Sequence, residues 1–177
     1  SKSIQTQIIR SALQLGQKYR FNEQHARHVS RLACQLFDQL QDLHQLPERY
    51  RGILELAALL HEIGGFISTK SKHKHSMYLI LNSDFFGIGN FDRKLMALVA
   101  RYHRGASPLP RHEGYSRLTR ENRVLVVKMA AILRIAKSLD VGKAQRIPSI
   151  TCVQKEDRIE ISPADVEEFS AENIELR

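Results

Sequence analysis

Apolar residues recur at helical spacing through most of this chain. Ile4, Ile8, Ile9, Ala12, Leu13 and Leu15 mark one face of a first segment, and the pattern fades at Gly16. Asn22, after Phe21, is a candidate N-cap for a long helix whose stripe is His25, Val29, Leu32, Ala33, Leu36, Phe37, Leu40 and Leu43. Pro47 suits the first turn of the next helix, which carries Ile53, Leu56, Ala57, Leu60 and His61 up to a stop at Gly64-Gly65. A basic loop then leads to a short helix around His75 to Leu81. Asn90 or Asp92 opens another, with Leu95, Leu98, Val99 and Tyr102 on one side and His103 near its end.

Gly105, Pro108, Pro110 and Gly114 mark residues 105–118 as an exposed loop. Thr119-Arg-Glu-Asn predicts the start of a helix running to about Asp140. That helix is apolar on most sides and is expected to be the central, most buried one. After Pro148 the period shortens. Ile150, Cys152 and Arg158-Ile159-Glu160-Ile161 flank Lys155-Glu156-Asp157, the pattern of a short hairpin. The tail from Ala164 to Arg177 carries Val166, Phe169 and Ile174 and stops without a cap, as expected of a piece of a longer protein. The predicted fold class is mostly α, a helical bundle with a small C-terminal β-hairpin. Its expected divisions are an N-terminal helix (1–21), the main helical domain (22–145), and the hairpin with its tail (146–177).

At 177 residues and 42% hydrophobic content the chain can bury a full core as one domain. Its longest apolar stretch, from Val124 to Leu133, is broken by Lys128 and closed by Arg134, too short and too charged to span a bilayer. No secretory leader pattern opens the sequence, so a cytoplasmic location is expected. Cys34 and Cys152 lack CxxC spacing, which argues against a zinc clip or a disulfide framework.

Two histidines on buried stripes carry the candidate chemistry. His25 precedes Val29 by four residues, and His61 follows Ile53 and Ala57 at four-residue steps. Packing of these successive helices can bring the imidazoles together, and Glu62 adds a carboxylate beside them. Imidazole with carboxylate suits zinc, manganese or iron, any of which lowers the pKa of bound water. A lone helix-face histidine is also an ordinary core residue, so the combination, including the adjacent His61-Glu62 pair, carries the argument.

Charge enters next. Lys and Arg number 27 against 19 acidic residues, a formal net charge of +8 that attracts polyanions. Lys70, Lys72, His73, Lys74 and His75 form one cationic run, followed by a candidate helix start at Ser76. Arg101, His103, Arg104, Arg111, His112, Arg117, Arg120 and Arg123 form a second basic region. If both edge one groove they make a track for a linear polyanion; singly, each also suits a solvated surface. With 7% aromatic residues and no Trp, base stacking is poorly served, and nucleic acid ranks low as a partner. No phosphate-cradling glycine motif, GxSxG or kinase signature occurs.

In order along the chain stand His25-Ala-Arg-His-Val29, Ala58-Leu-Leu-His61-Glu62-Ile-Gly64, His73-Lys-His75-Ser76, Arg101-Tyr-His103-Arg104 and Leu133-Arg-Ile-Ala-Lys137-Ser-Leu-Asp140. Together they resemble the HD-type helical domain of the exopolyphosphatase/guanosine pentaphosphate phosphatase (Ppx/GppA) family, over residues 22–165. The resemblance implies an HD-domain-like bundle in which His25 and His61 stand at metal-binding positions and Glu62 stands where aspartate is usual. It also places Lys137 where the last metal-binding aspartate is expected. Lysine cannot ligate while protonated and repels a dication. The site is therefore expected to be vestigial, with no cofactor and Lys137 as its internal cation. Val126, Ala130, Leu133 and Lys137 share one stripe, in keeping with an inward Lys137; the alternative is a side chain that snorkels outward near its helix end.

By the same resemblance, an actin-like catalytic half belongs before this domain. The domain itself is then expected to bind polyphosphate or a phosphate-rich nucleotide rather than cleave it, and to support a homodimer. Its expected contacts are Lys70, Lys72, His73, Lys74, His75, Arg101, His103 and Arg104. Two alternatives stay open: an autonomous metal-dependent phosphohydrolase acting on a nucleotide, for which manganese, zinc or iron would be needed, and a regulatory module sensing guanosine tetra- or pentaphosphate.

Overall fold

The computed structural model describes residues 2–105 and 107–164. The expected tail, with Val166, Phe169 and Ile174, lies outside them. Helices α1 (Lys2–Lys18), α2 (Glu23–Gln39), α3 (Gln41–His44), α4 (Tyr50–Leu60), α5 (Lys72–Leu81), α6 (Asn90–Arg101) and α7 (Arg120–Ser138) form a bundle. Strands β1 (Ile150–Gln154) and β2 (Ile159–Pro163) pair antiparallel, with Cys152 opposite Ile161. No helix among the described residues is long and apolar enough to cross a membrane.

Capping fixes two helix starts as the sequence predicts. Asn22 accepts from the His25 amide and Thr119 Oγ1 from the Asn122 amide. The hairpin is tied to α2 by side chains: Gln39 donates to the Ile150 carbonyl and accepts from the Cys152 amide, while Gln35 accepts from the Ile150 amide.

Several expectations are corrected. The most buried helix is α4, not α7. All but three residues of α4 are buried, and it packs against α1, α2, α6 and α7. On α7, Val124 and Val127 stay over 40% exposed, because this helix packs along one flank only. Helix α2 ends at Gln39, so Leu43 falls on the separate α3 and is exposed. Pro47 belongs to the turn before α4, where its carbonyl accepts from the Tyr50 amide. Helix α5 begins at Lys72 rather than near His75, so the basic run is its first turn and Ser76 lies inside it.

The early start of α5 has a tertiary cause. After α4 the chain makes a 3₁₀ turn, Ile63–Phe66, whose backbone lies directly on α5. A Cβ on Gly64 would stand 2.1 Å from the Lys72 carbonyl oxygen and 2.3 Å from the Ser76 amide nitrogen. Buried Ser76 stitches the two together, accepting from the Gly64 amide at 2.9 Å and donating to the His61 carbonyl at 2.8 Å. Only glycine permits that approach.

Candidate functional site

His25 (α2), His61 (the C-cap of α4) and Glu62 come together between the helices, each offering an atom within 4.8 Å of the others. Both imidazoles are buried, and Glu62 Oε2 and Oε1 lie 3.8 Å from His25 Nε2 and His61 Nε2 respectively. The outer nitrogens are anchored. His25 Nδ1 donates to Asp140 Oδ2 at 2.7 Å, and His61 Nδ1 donates to the Ala58 carbonyl at 2.5 Å. A carbonyl can only accept, so Nδ1 of His61 carries the proton and Nε2 presents a lone pair. Among the described residues neither Nε2 has a hydrogen-bond partner.

His103 joins this cluster and departs from its expected place among the surface cations. It is buried, its ring lies 4.9 Å from that of His61, and its Nδ1 donates to the Ala100 carbonyl. Burial pushes the His61 pKa down to about 4, with Glu62 opposing and Lys137 assisting. Burial also holds His103 well below the ordinary imidazole value, helped by His61 and Lys137. Both rings are neutral at physiological pH.

Three ammonium groups surround Glu62. Lys143 Nζ lies 3.0 Å from Oε2, and Lys72 and Lys137 Nζ lie 3.5 and 3.6 Å from Oε1. Burial alone would raise the Glu62 pKa, but His61, Lys143 and Lys72 outweigh it and hold the carboxyl well below its usual range. A neutral His61 contributes no charge, so at neutral pH the lysines carry that effect. Lys137 is itself lowered, by burial first and then by Lys72, against the pull of Glu62. The nitrogen donors suit a transition dication, and the Asp140–His25 pair has the form of an oriented ligand. The charge does not suit one: among the described residues three ammonium groups crowd Glu62, the one carboxylate placed to ligate, and even with the Asp140 anion behind His25 the centre keeps an excess of positive charge. The residues present do not fit a dication.

Sequence reasoning missed Lys143 altogether and left Asp140 without a role. Lys143 follows α7 with φ +53° and reaches Glu62 across 81 residues of sequence. Asp140 meets His25 across 115 residues. No periodicity marks either one, because both lie in the turn after α7.

The two basic regions converge in part. His73, Lys74, Arg101, Arg104, Tyr102 and His112 line one recess of about 210 Å3. Lys70 is exposed and stands outside it, and Lys72 turns to Glu62 instead. His75 is half-buried and does not line it. Burial lowers the His73 pKa first, and the fields of Lys74, Arg101, Arg104 and Lys137 lower it further, so the recess and the lysine cage share one positive field.

A helical bundle with a histidine–carboxylate centre walled by cations is thus the class that fold and site define. The Ppx/GppA phosphatase family, domain III, matches residues 9–173, and the chain belongs to that family. It is similar to three proteins named guanosine-5'-triphosphate,3'-diphosphate pyrophosphatase. Those of Aeromonas hydrophila and Aeromonas salmonicida are 34% and 32% identical over 86% of this chain, and that of Vibrio vulnificus is 32% identical over 66%. The chain spans only 31%, 31% and 24% of their respective lengths.

Proposed function

We propose that this chain is the polyanion-binding helical domain of a phosphoanhydride hydrolase, and that bond cleavage takes place on an actin-like part of the protein outside it. The observation that carries this reading is the recess, where Lys74 and His73 from α5 meet Arg101, Arg104 and His112 from α6 and the loop after it. Guanidinium forks and ammonium groups at close quarters suit successive phosphates. Within the HD-like centre, Lys137 takes the part of an internal cation, sharing Glu62 with Lys72 and Lys143. The centre then holds helices together and adds positive field instead of activating water.

Calorimetry with long-chain polyphosphate tests this, on the 177-residue chain and its Lys74→Glu and Arg101→Glu variants at two salt concentrations. Each reversal is expected to weaken binding about tenfold or more and to flatten the salt dependence. Unchanged affinity in both variants would remove the recess from the account. The rival reading, a metal-dependent phosphohydrolase, draws on the unpartnered Nε2 atoms of His25 and His61. Stoichiometric binding of zinc or manganese there, lost in His61→Ala, would favour it over the lysine cage.

A further inference from the structure

A cleft of about 360 Å3 opens beside the recess, and α5, α6 and the loop after α6 each supply part of its wall. Met77 and Leu81 of α5 and Leu98 of α6 give it an apolar lining. The loop closes in at Gly114, where φ is +81° and a Cβ would stand 3.6 Å from the Leu98 side chain. Tyr78 is 59% exposed and Leu81 37%, so apolar surface lies open to water here. The charged part of the lining is Lys94, Arg101 and Arg117 against Glu113. Among the described residues none of those three cations is in an ion pair.

We infer that the cleft binds a small amphiphilic carboxylate, its hydrocarbon body against the apolar lining and its charged end among Lys94, Arg101 and Arg117. A phosphate chain has no part that covers Met77, Leu81 or Leu98, and a neutral apolar molecule leaves the cations unmatched. A carboxylate on a hydrocarbon body meets both needs. Guanidinium forks pair with the carboxylate, and the body withdraws methylenes from water. Three cations and Glu113 leave two positive charges on the lining, of which this ligand neutralises one. The volume lies within the range of small-molecule sites, which starts at roughly 300 Å3. Arg101 also lines the recess, so a guanidinium drawn to a carboxylate in the cleft is lost to a phosphate next door. The cleft ligand is thereby a competitor of the polyanion. That competition rests on the phosphate-binding reading above, whereas the cleft site does not.

Calorimetry on the 177-residue chain with octanoate, octan-1-ol and acetate tests the cleft. Octanoate is expected to bind with one-to-one stoichiometry and about tenfold more tightly than octan-1-ol, the scale of one hydrogen bond to a charged group. Acetate, which has the charge without the body, is expected to give no heat of binding. Leu81→Ser and Lys94→Gln, both at the cleft and outside the recess, should each weaken octanoate about tenfold and leave inorganic tripolyphosphate affinity unchanged. Saturating octanoate should weaken tripolyphosphate about fivefold, the lower end of ordinary coupling between sites. Octanoate that does not bind, that is matched by octan-1-ol or acetate, or that ignores both substitutions overturns the cleft site and leaves the recess standing. Full octanoate binding with no effect on tripolyphosphate overturns the competition through Arg101. Tripolyphosphate that fails to bind at all, with octanoate bound as expected, refutes the recess reading instead.

Discussion

Asp140 Oδ2 accepts a 2.7 Å hydrogen bond from His25 Nδ1, joining the turn after α7 to the first turn of α2. The same carboxylate accepts from the backbone amide and the side-chain amide of Gln145, so one buried anion fixes the imidazole and closes the turn that brings Lys143 to Glu62. Burial raises the Asp140 pKa, but the His25 and Gln145 hydrogen bonds overcome it and hold the carboxyl below its usual range. Asp140→Ala should cost about 2–3 kcal/mol in urea denaturation, the scale of hydrogen bonds to a buried charge. A loss under about 0.5 kcal/mol would show that the pair holds nothing together.

Glu62 and Lys137 should be thermodynamically coupled. Glu62→Gln leaves three ammonium groups facing one another, so it should destabilise more than Lys137→Met does. In the double-mutant cycle the coupling is expected near 1 kcal/mol, since Lys137 keeps 25% of its side chain in water and shares its partner. Additive effects would mean that the 3.6 Å contact is electrostatically idle.

The stitch between the 3₁₀ turn and α5 gives a graded pair of variants. Ser76→Ala strips the Gly64 amide and the His61 carbonyl of their buried partner and should cost about 1–3 kcal/mol. Gly64→Ala should be worse, because its Cβ collides with backbone that cannot step aside. Thermal denaturation of both variants gives the order; the reverse order would contradict the packing described.

Cys34 provides a test of burial through pH. Burial pushes its thiol up to about 12, with Glu55 raising it further and Arg51 opposing. In the native protein at pH 8.5 a thiol reagent should therefore label Cys152, which is only partly buried, and spare Cys34. The raised value means that the folded state keeps its proton where the unfolded chain releases it. This contribution to stability is complete below pH 9 and is lost as pH climbs toward 12. Equal labelling of both thiols in the native state would show the α2–α4 contact to be open.

Much of the architecture was legible along the chain. The stripe on α2 placed His25 inward, and Asn22 and Thr119 announced their helices, because capping and period are local properties. The β1–β2 hairpin was readable for the same reason. The ranking of α7 as the most buried helix failed, because an apolar surface says how much can be covered and not what covers it. The start of α5 failed because its first turn is held by the approach of Gly64 and not by a capping side chain.

Within the site, the histidine–carboxylate group was visible as residue types on helix faces. Its character came from elsewhere. Lys143, Asp140 and His103 reach the centre from a turn after α7 and from the end of α6. What the sequence alone determined was a set of local preferences and a surplus of positive charge. Which cations close on one carboxylate, and which line a recess, was decided by tertiary packing. Electrostatic energy depends on distances of a few ångströms between groups that the chain order keeps far apart.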